Sequence, residues 1–347
     1  MMSPPLLRAV TLGPVAAIAL AALSSSPALA QSAASFKGRT MTIVVGFGPG
    51  GGYDIYGRLV AAHFGNHLPG KPTVLVQNTP GAASVKAANI LYNSAPKDGT
   101  SLGLFLSALT VNAVLQGNQK YQPEKFSWIG RVNDSATLGV VWSTAPATSI
   151  PQATGHEIVL ASTGASGNSA MVPWALNSLI GTRFKVVTGY TSTAAAALAM
   201  EQGEVQGIGA VSYEYLGTVK ADWLKSGKVK VMYSIDLKRK KALPDVPAVV
   251  EFAKDAKSRQ VLSLLGSASA IGYSFAAPPG VSRDVVGTLS AAFAAMLKDP
   301  AFLADAEKRK LDVDPLTGEE VQKIVADAVA TPQAVVELAR KATAKPL

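Results

Sequence analysis

The chain has 347 residues, a net charge of +9, 48% hydrophobic residues and no cysteine. It is therefore long enough for a sizeable core, and disulfides, a thiolate nucleophile and a cysteine-held metal are excluded. The positive balance would suit nucleic acid or acidic small molecules, but the basic residues are mostly scattered. The one cluster is Lys238, Arg239, Lys240 and Lys241 in "DLKRKKALPDVP". No aromatic residue interleaves it to stack on bases, so it reads as a solvated basic loop and no nucleic-acid partner is expected.

Residues 1–30 read as an export signal. Arg8 supplies the positive start, residues 9–23 are apolar, and Ala28-Leu29-Ala30 is a small-x-small cleavage pattern. The apolar run falls short of the roughly 20 clean residues a membrane span needs. Cleavage after Ala30 leaves a periplasmic chain of roughly 317 residues beginning at Gln31, a length that suggests two domains.

After this segment, strands and helices alternate. "TMTIVVGF" is a buried strand, followed by five glycines in "GFGPGGG" and a helix from "YDIYGRLVAAHFGNHL". In that helix Ile55, Leu59, Ala62 and Leu68 are expected near one face, with Asp54 in the first turn, where a carboxylate favours the helix dipole. "PTVLVQN" is a second strand, "AASVKAANILYNSA" a helix and "DGTSLGLFLS" a turn with a third strand. The middle repeats this logic: "HEIVLAST" is a strand, "GASGNSA" a second glycine-serine turn and "AMVPWALNSLIG" a helix. "RFKVVTGY", "VQGIGAVS" and "KVKVMYSI" are strands, with the helix "TSTAAAALAMEQG" opened by hydroxyls. The C-terminal part is helical. Ser282 and Asp299-Pro300 are N-caps, and Thr317 with Glu320 has the spacing of a capping box. Alternation of this kind implies parallel sheet with helices on its faces.

Gly46-Phe47-Gly48-Pro49-Gly50-Gly51 matches a dinucleotide fingerprint. However, Pro49 supplies no N–H where a pyrophosphate would need one, and the second strand ends without an acidic residue for a ribose. No Lys-Ser or Lys-Thr follows the glycines, so a phosphate-binding P-loop is excluded. His63 and His67 stand four apart, but with no glutamate between them they read as a helix end and not as a metal site. Ser166 and Ser169 have no histidine nearby in sequence and no nucleophile elbow, so no catalytic residue, cofactor or metal is expected. Anion binding is the positive reading. Helix N-termini offer free N–H groups and partial positive charge, and Gly50, Gly51 and Gly52 would let a ligand approach bare backbone.

"TIVVGFGPGGGYDIYGRLVA" resembles the opening of the Bug-type (TctC-like) substrate-binding proteins of tripartite tricarboxylate transporters, with Phe47, Pro49, Gly50, Gly51, Asp54 and Arg58 on the family's places. The resemblance continues through "VQNTPGAASVKAANILYNSAPKDGTSLGLFLS", with Asn78, Pro80, Gly81, Ala82, Asp98 and Gly99 matching, and "KFSWIGRV". "ASTGASGNSAMVPWALNSLIG", "GYTSTAAAALAMEQGEV", "KKALPDVPAVVEF" and "FAAPPGVSRDVV" extend it toward the C-terminus. It implies a type II periplasmic-binding-protein fold: two α/β lobes around a ligand cleft, joined by two chain crossovers. The expected division is 31–141 for the first lobe, 142–250 for the second, and 251–347 for the return to the first. The family holds a ligand carboxylate largely through main-chain N–H groups and ordered water. The resemblance therefore carries ligand contacts to Phe47, Pro49, Gly50, Gly51, Gly52, Tyr53 and Asp54 in the first lobe, with Ser107 as a lining residue. In the second lobe it carries them to Thr163, Gly164, Ala165, Ser166, Gly167 and Ser169, and to Tyr190, Thr191, Ser192 and Thr193.

Four departures mark a divergent subgroup. Tyr53 replaces a small hydroxyl residue, Thr191-Ser192 a glycine pair, Gln206 an aspartate, and Thr100 a tyrosine. No arginine falls inside these loops, so a mono- or dicarboxylate, aromatic ones included, suits them as well as citrate. The implied protein is a monomeric solute receptor that delivers a small carboxylate to the large and small membrane subunits of such a transporter. The alternatives are a sensor that feeds a two-component system and a periplasmic enzyme acting on a carboxylate.

Overall fold

In the computed structural model the described residues are Met1, Met2, 35–165, 167–190 and 192–346. The expected export signal beyond Met2, its cleavage point between Ala30 and Gln31, and the expected site residues Ser166 and Thr191 lie outside them. All elements below belong to one unit, Ala34–Leu347.

The strands in chain order are β1 (Thr40–Val45), β2 (Thr73–Asn78), β3 (Ser101–Leu104), β4 (Ser127–Arg131), β5 (Thr137–Trp142) and β6 (Glu157–Ser162). They continue with β7 (Arg183–Thr188), β8 (Gly207–Ser212), β9 (Val229–Ser234), β10 (Ser274–Ala277) and β11 (Leu316–Thr317). Two sheets result, in the orders β11-β4-β10-β3-β1-β2 and β7-β6-β8-β5-β9. Apart from the short edge strand β11 the orders are equivalent. Each has three parallel strands and then one antiparallel strand contributed by the chain as it arrives from the other lobe: β10 in the first sheet, β5 in the second.

The helices are α1 (Gly52–Phe64), α2 (Val85–Asn93), α3 (Leu109–Gln116), α4 (Ile150–Ala153), α5 (Asn168–Ile180), α6 (Thr193–Glu201) and α7 (Tyr213–Thr218). After them come α8 (Ala221–Lys225), α9 (Ala256–Ile271), α10 (Arg283–Met296), α11 (Pro300–Lys308), α12 (Gly318–Val329) and α13 (Gln333–Thr343). Side-chain alternation explains why a helix layer covers each face of both sheets. Met41, Ile43 and Val45 of β1 enter a core with Leu59, Phe64 and Phe293, while Val44 points to the opposite core with Leu91 and Val325. In β6, Ile158 and Leu160 join one core and Ala161 the other.

The buried stripe of α1 is Tyr56, Leu59, Val60 and Phe64, whereas Ala62 is exposed. Of the expected face, Leu59 and Leu68 are buried in this core, whereas Ile55 is only half-buried and Ala62 lies outside it. The stripe that wins carries two aromatic rings and so buries more apolar area. The expected boundary after residue 141 falls inside β5, because the chain has already entered the second sheet at Thr137. The C-terminal helix α13, expected with the first lobe, packs on α5. Its stripe of Val335, Val336 and Ala339 shares a core with Val172 and Leu176. Among the described residues no single helix is long and apolar enough to cross a membrane.

Candidate functional site

The topology fixes where the loops go. In the first sheet the carboxyl ends of β1, β2 and β3 lie together, and the register pairs Leu104 with Phe275 and Arg131 with Ser274. The crossing segments 132–136 and 272–273 therefore leave from the same edge. In the second sheet Thr137 pairs with Ser212, so the crossing enters at the edge where β6 and β8 end. Both sets of strand ends open toward the crossovers, the position at which open α/β sheets place their ligands.

The first loop, between β1 and α1, is held by Asp54 from below. This carboxylate is only 4% exposed. Its Oδ2 accepts from Gly50 N at 2.9 Å and from Arg58 Nε at 2.9 Å, and its Oδ1 accepts from Asn78 Nδ2 at 2.8 Å. Burial alone would raise its pKa, but hydrogen bonds from Arg58, Gly50 and Asn78 outweigh it and hold the carboxyl below its ordinary range. Asn78 Nδ2 also donates to Phe47 O at 3.0 Å. Asp54 is thus a buttress, and the Gly50 N–H is spent on it. Arg58 points outward, 49% exposed. Pro49, Gly50, Gly51 and Gly52 are exposed. The N-cap of α1 is Gly51, with no side-chain cap, so the N–H groups of Gly52, Tyr53 and Asp54 stand outside the helix ladder.

Tyr53, the family departure, has a structural partner. Its hydroxyl accepts from Ser107 N at 2.8 Å, and Ser107 Oγ accepts from Ser135 Oγ at 2.9 Å. Burial raises the Tyr53 pKa, with the Ser107 hydrogen bonds opposing it. Its ring stacks on Phe47 at 4.6 Å and lies 4.9 Å from Tyr273, which in turn stacks on Tyr56 at 4.1 Å. A Cβ on Gly52 would meet Tyr273 Oη at 2.8 Å, which places this aromatic row directly beneath the α1 N-terminus.

The second loop has the same construction. The N-cap of α5 is Gly167, again with no side-chain cap. Thr163 and Ala165 are exposed and Gly164 is half-buried. Ser169 is buried, and its Oγ pairs with Ser162 Oγ at 2.8 Å, so this hydroxyl supports the loop from within. The third turn differs. Ser192 caps α6 itself, accepting from Ala195 N at 3.1 Å, while Tyr190 N and Gly189 N both donate to Ser162 O. Thr193 is half-buried at the start of α6.

Several residues at the crossovers carry no signal in the sequence. Asn133 is fully buried and donates through Nδ2 to Tyr56 Oη at 3.0 Å and to Glu214 Oε1 at 3.5 Å. Lys240 is 9% exposed and paired with Asp134 at 2.6 Å. It lies 5.4 Å from the Tyr213 ring. The basic cluster is therefore not wholly solvated, because the negative field of Asp134 draws one of its lysines inward. Arg239 stays outside and grips Glu251 through two nitrogens. His63 and His67 lie 3.0 Å from Asp305 and Asp299 respectively, tying α1 and the turn after it to α11 and its cap. Among the described residues no cluster of metal-ligating side chains is present. A large cavity of about 1110 Å³ lies away from all of this, walled by Trp128, Phe293 and Leu316 between β4, α10 and α12.

The family model "Tripartite tricarboxylate transporter family receptor" matches residues 58–340. A UPF0065 protein of Bordetella bronchiseptica is 26% identical over 302 residues, which cover 86% of this chain and 82% of the relative. The crystal structure of a TctC solute-binding protein from Polaromonas superposes with a TM-score of 0.66 at 20% identity, over 88% of this chain and 100% of that one. MatC of Rhodopseudomonas palustris, solved with bound malate, superposes with a TM-score of 0.62 at 21% identity, over 87% of this chain and 100% of that one. The chain belongs to the tripartite tricarboxylate transporter receptor (TctC) family: it is a periplasmic-type solute-binding receptor of two α/β lobes, not an enzyme.

Proposed function

We propose that this receptor captures a small carboxylate between its lobes and hands it to the membrane subunits of a tripartite tricarboxylate transporter. The first lobe is 35–131 with 274–331; the second is 137–271 with 332–346, because α9 and α13 share the core of Val172 and Leu176. The observation that carries the reading is the pair of uncapped glycine N-termini, Gly51 of α1 and Gly167 of α5, at the strand ends that open toward the crossovers. Main-chain N–H groups at such starts bind anions without a basic side chain, and each such bond to a charged acceptor contributes about 1.5–3 kcal/mol. The malate bound by the related MatC is a ligand of this class. The stacked pair Phe47 and Tyr53, both half-buried, adds an apolar wall that suits a short aliphatic or aromatic body.

Thermal denaturation of the chain against a panel of small carboxylates, with NAD and phosphate as controls, tests this. A ligand at a hundred times its Kd adds about 2.7 kcal/mol, a visible shift of midpoint. A shift with carboxylates alone supports the reading, and a shift with NAD or phosphate alone overturns it.

A further inference from the structure

Glu214 stands at the second lobe's cleft edge, directly after β8, as the second residue of α7. Its Oε1 is 3.5 Å from the amide nitrogen of the fully buried Asn133. Its Oε2 is shut off from solvent and has no hydrogen-bond partner, and the same holds for Asn133 Oδ1. Two acceptors on neighbouring groups are therefore both without a donor, and an acceptor stripped of water without replacement is costly. Lys240, the cation whose charge acts on Glu214, is already paired with Asp134. The carboxylates of Asp134 and Asp312 also act on Glu214, opposing its ionisation. Facing it from the first lobe are the hydroxyls of Tyr53, Tyr56 and Tyr273, whose ionisation its charge opposes. An acceptor-rich, acidic corner beside aromatic rings attracts nitrogen donors and repels carboxylates.

We propose that Glu214 and Asn133 select the far end of the ligand, and that the solute is a carboxylate whose other end is an ammonium or carboxamide in place of a second carboxylate. This rests on the proposed function: the helix N-termini take the anionic end, and the nitrogen donor, inserted between the two lobes, supplies the hydrogens that Glu214 Oε2 and Asn133 Oδ1 lack. Burial pushes Glu214 up to about 7, so the corner accepts donors fully only when the pH lies above that value. Below it the protonated acid can itself donate, and the bias against a dicarboxylate relaxes.

Calorimetric titration at pH 8.5 with succinate, succinamate and 4-aminobutanoate, and with the six-carbon analogues of each, reads the preference. The wild-type chain should bind the ammonium or carboxamide member at least tenfold more tightly than the dicarboxylate of the same length. Glu214→Gln, with folding checked by circular dichroism, should cut that ratio below threefold. As an arm that needs no variant, the wild-type ratio should also narrow at pH 5.5. A dicarboxylate that binds as tightly as its partners at pH 8.5, or a ratio unchanged by the substitution, overturns the inference while leaving the proposed function standing. Failure of every carboxylate in this series and in the thermal panel to bind overturns both.

Discussion

The helices that open at the cleft and those that build the C-terminal scaffold begin in opposite ways. α9, α10, α11 and α12 each start on a residue whose side chain accepts from its own helix: Asp255, Ser282, Asp299 and Thr317. α1 and α5 start on Gly51 and Gly167 with nothing supplied by the N-cap side chain. Glycine is a weaker N-cap than serine or aspartate by only a few tenths of a kcal/mol. It leaves no carboxylate or hydroxyl to compete with a ligand for the free N–H groups. These four scaffold helices satisfy their starts internally, although α13, which begins after Pro332, does not. In the proposed function α1 and α5 keep theirs for an incoming anion. At the third turn, Ser192 shows an intermediate case, since it caps α6 with its own hydroxyl.

The largest effect expected comes from removing the device that shapes an uncapped start. Asp54→Ala withdraws a buried acceptor from Gly50, Arg58 and Asn78. It should cost about 2–4 kcal/mol of stability and weaken carboxylate binding by an order of magnitude or more, read by chemical denaturation and calorimetry. A variant that loses stability but keeps its affinity would separate the buttress from the site.

A second effect comes from pH. Glu214 and Asp236 are held near 7 and 6 by burial. For an acid whose folded pKa is raised, the folded state binds more protons between the unfolded and folded values. Stability therefore falls as pH rises from about 4.5 to 7 and stays reduced above that. For Glu214 the change is on the order of 3 kcal/mol. Melting midpoints should decline from pH 5 to pH 8, and Glu214→Gln should flatten that decline.

The smallest effect belongs to the scaffold. Thr317→Ala breaks the capping box of α12, in which Thr317 Oγ1 accepts from Glu320 N at 3.2 Å and Glu320 Oε2 accepts from Thr317 N at 2.7 Å. The substitution should cost about 1 kcal/mol of stability and leave carboxylate affinity unchanged, as denaturation and titration of the same sample would show.

Much of this contrast is legible in the sequence. "TIVVGFGPGGGYD" announces a strand, a glycine turn and a helix, because β-branched residues, glycines and an acidic first turn all point the same way. The scaffold caps at Ser282, Asp299 and Thr317 can likewise be read from local spacing, and each makes its hydrogen bond. The strands β4, β5 and β10 carry no such mark. They are four to six residues long, largely buried, and paired only with segments distant in the chain, so no local period distinguishes them. The polar corner is invisible for the same reason. Lys240 sits in a run of charges that reads as solvated until Asp134, 106 residues away, is placed against it. Glu214 meets Asn133 across 81 residues. Tyr53 stands out in the sequence only as a departure from the family, and its role as the acceptor for Ser107 N needs the fold.

The most direct test is a titration of Gly51→Asp against the carboxylate that gives the largest thermal shift. Gly51 has φ −88° and ψ 170°, ordinary for an N-cap, and a Cβ there would meet nothing within 4 Å, so an aspartate fits and can cap α1 from within. The expected result is a chain at least as stable as the wild type whose carboxylate affinity falls tenfold or more, because its own side chain now holds the N–H groups. Unchanged affinity in a folded, capped variant would contradict the claim that these groups bind the ligand.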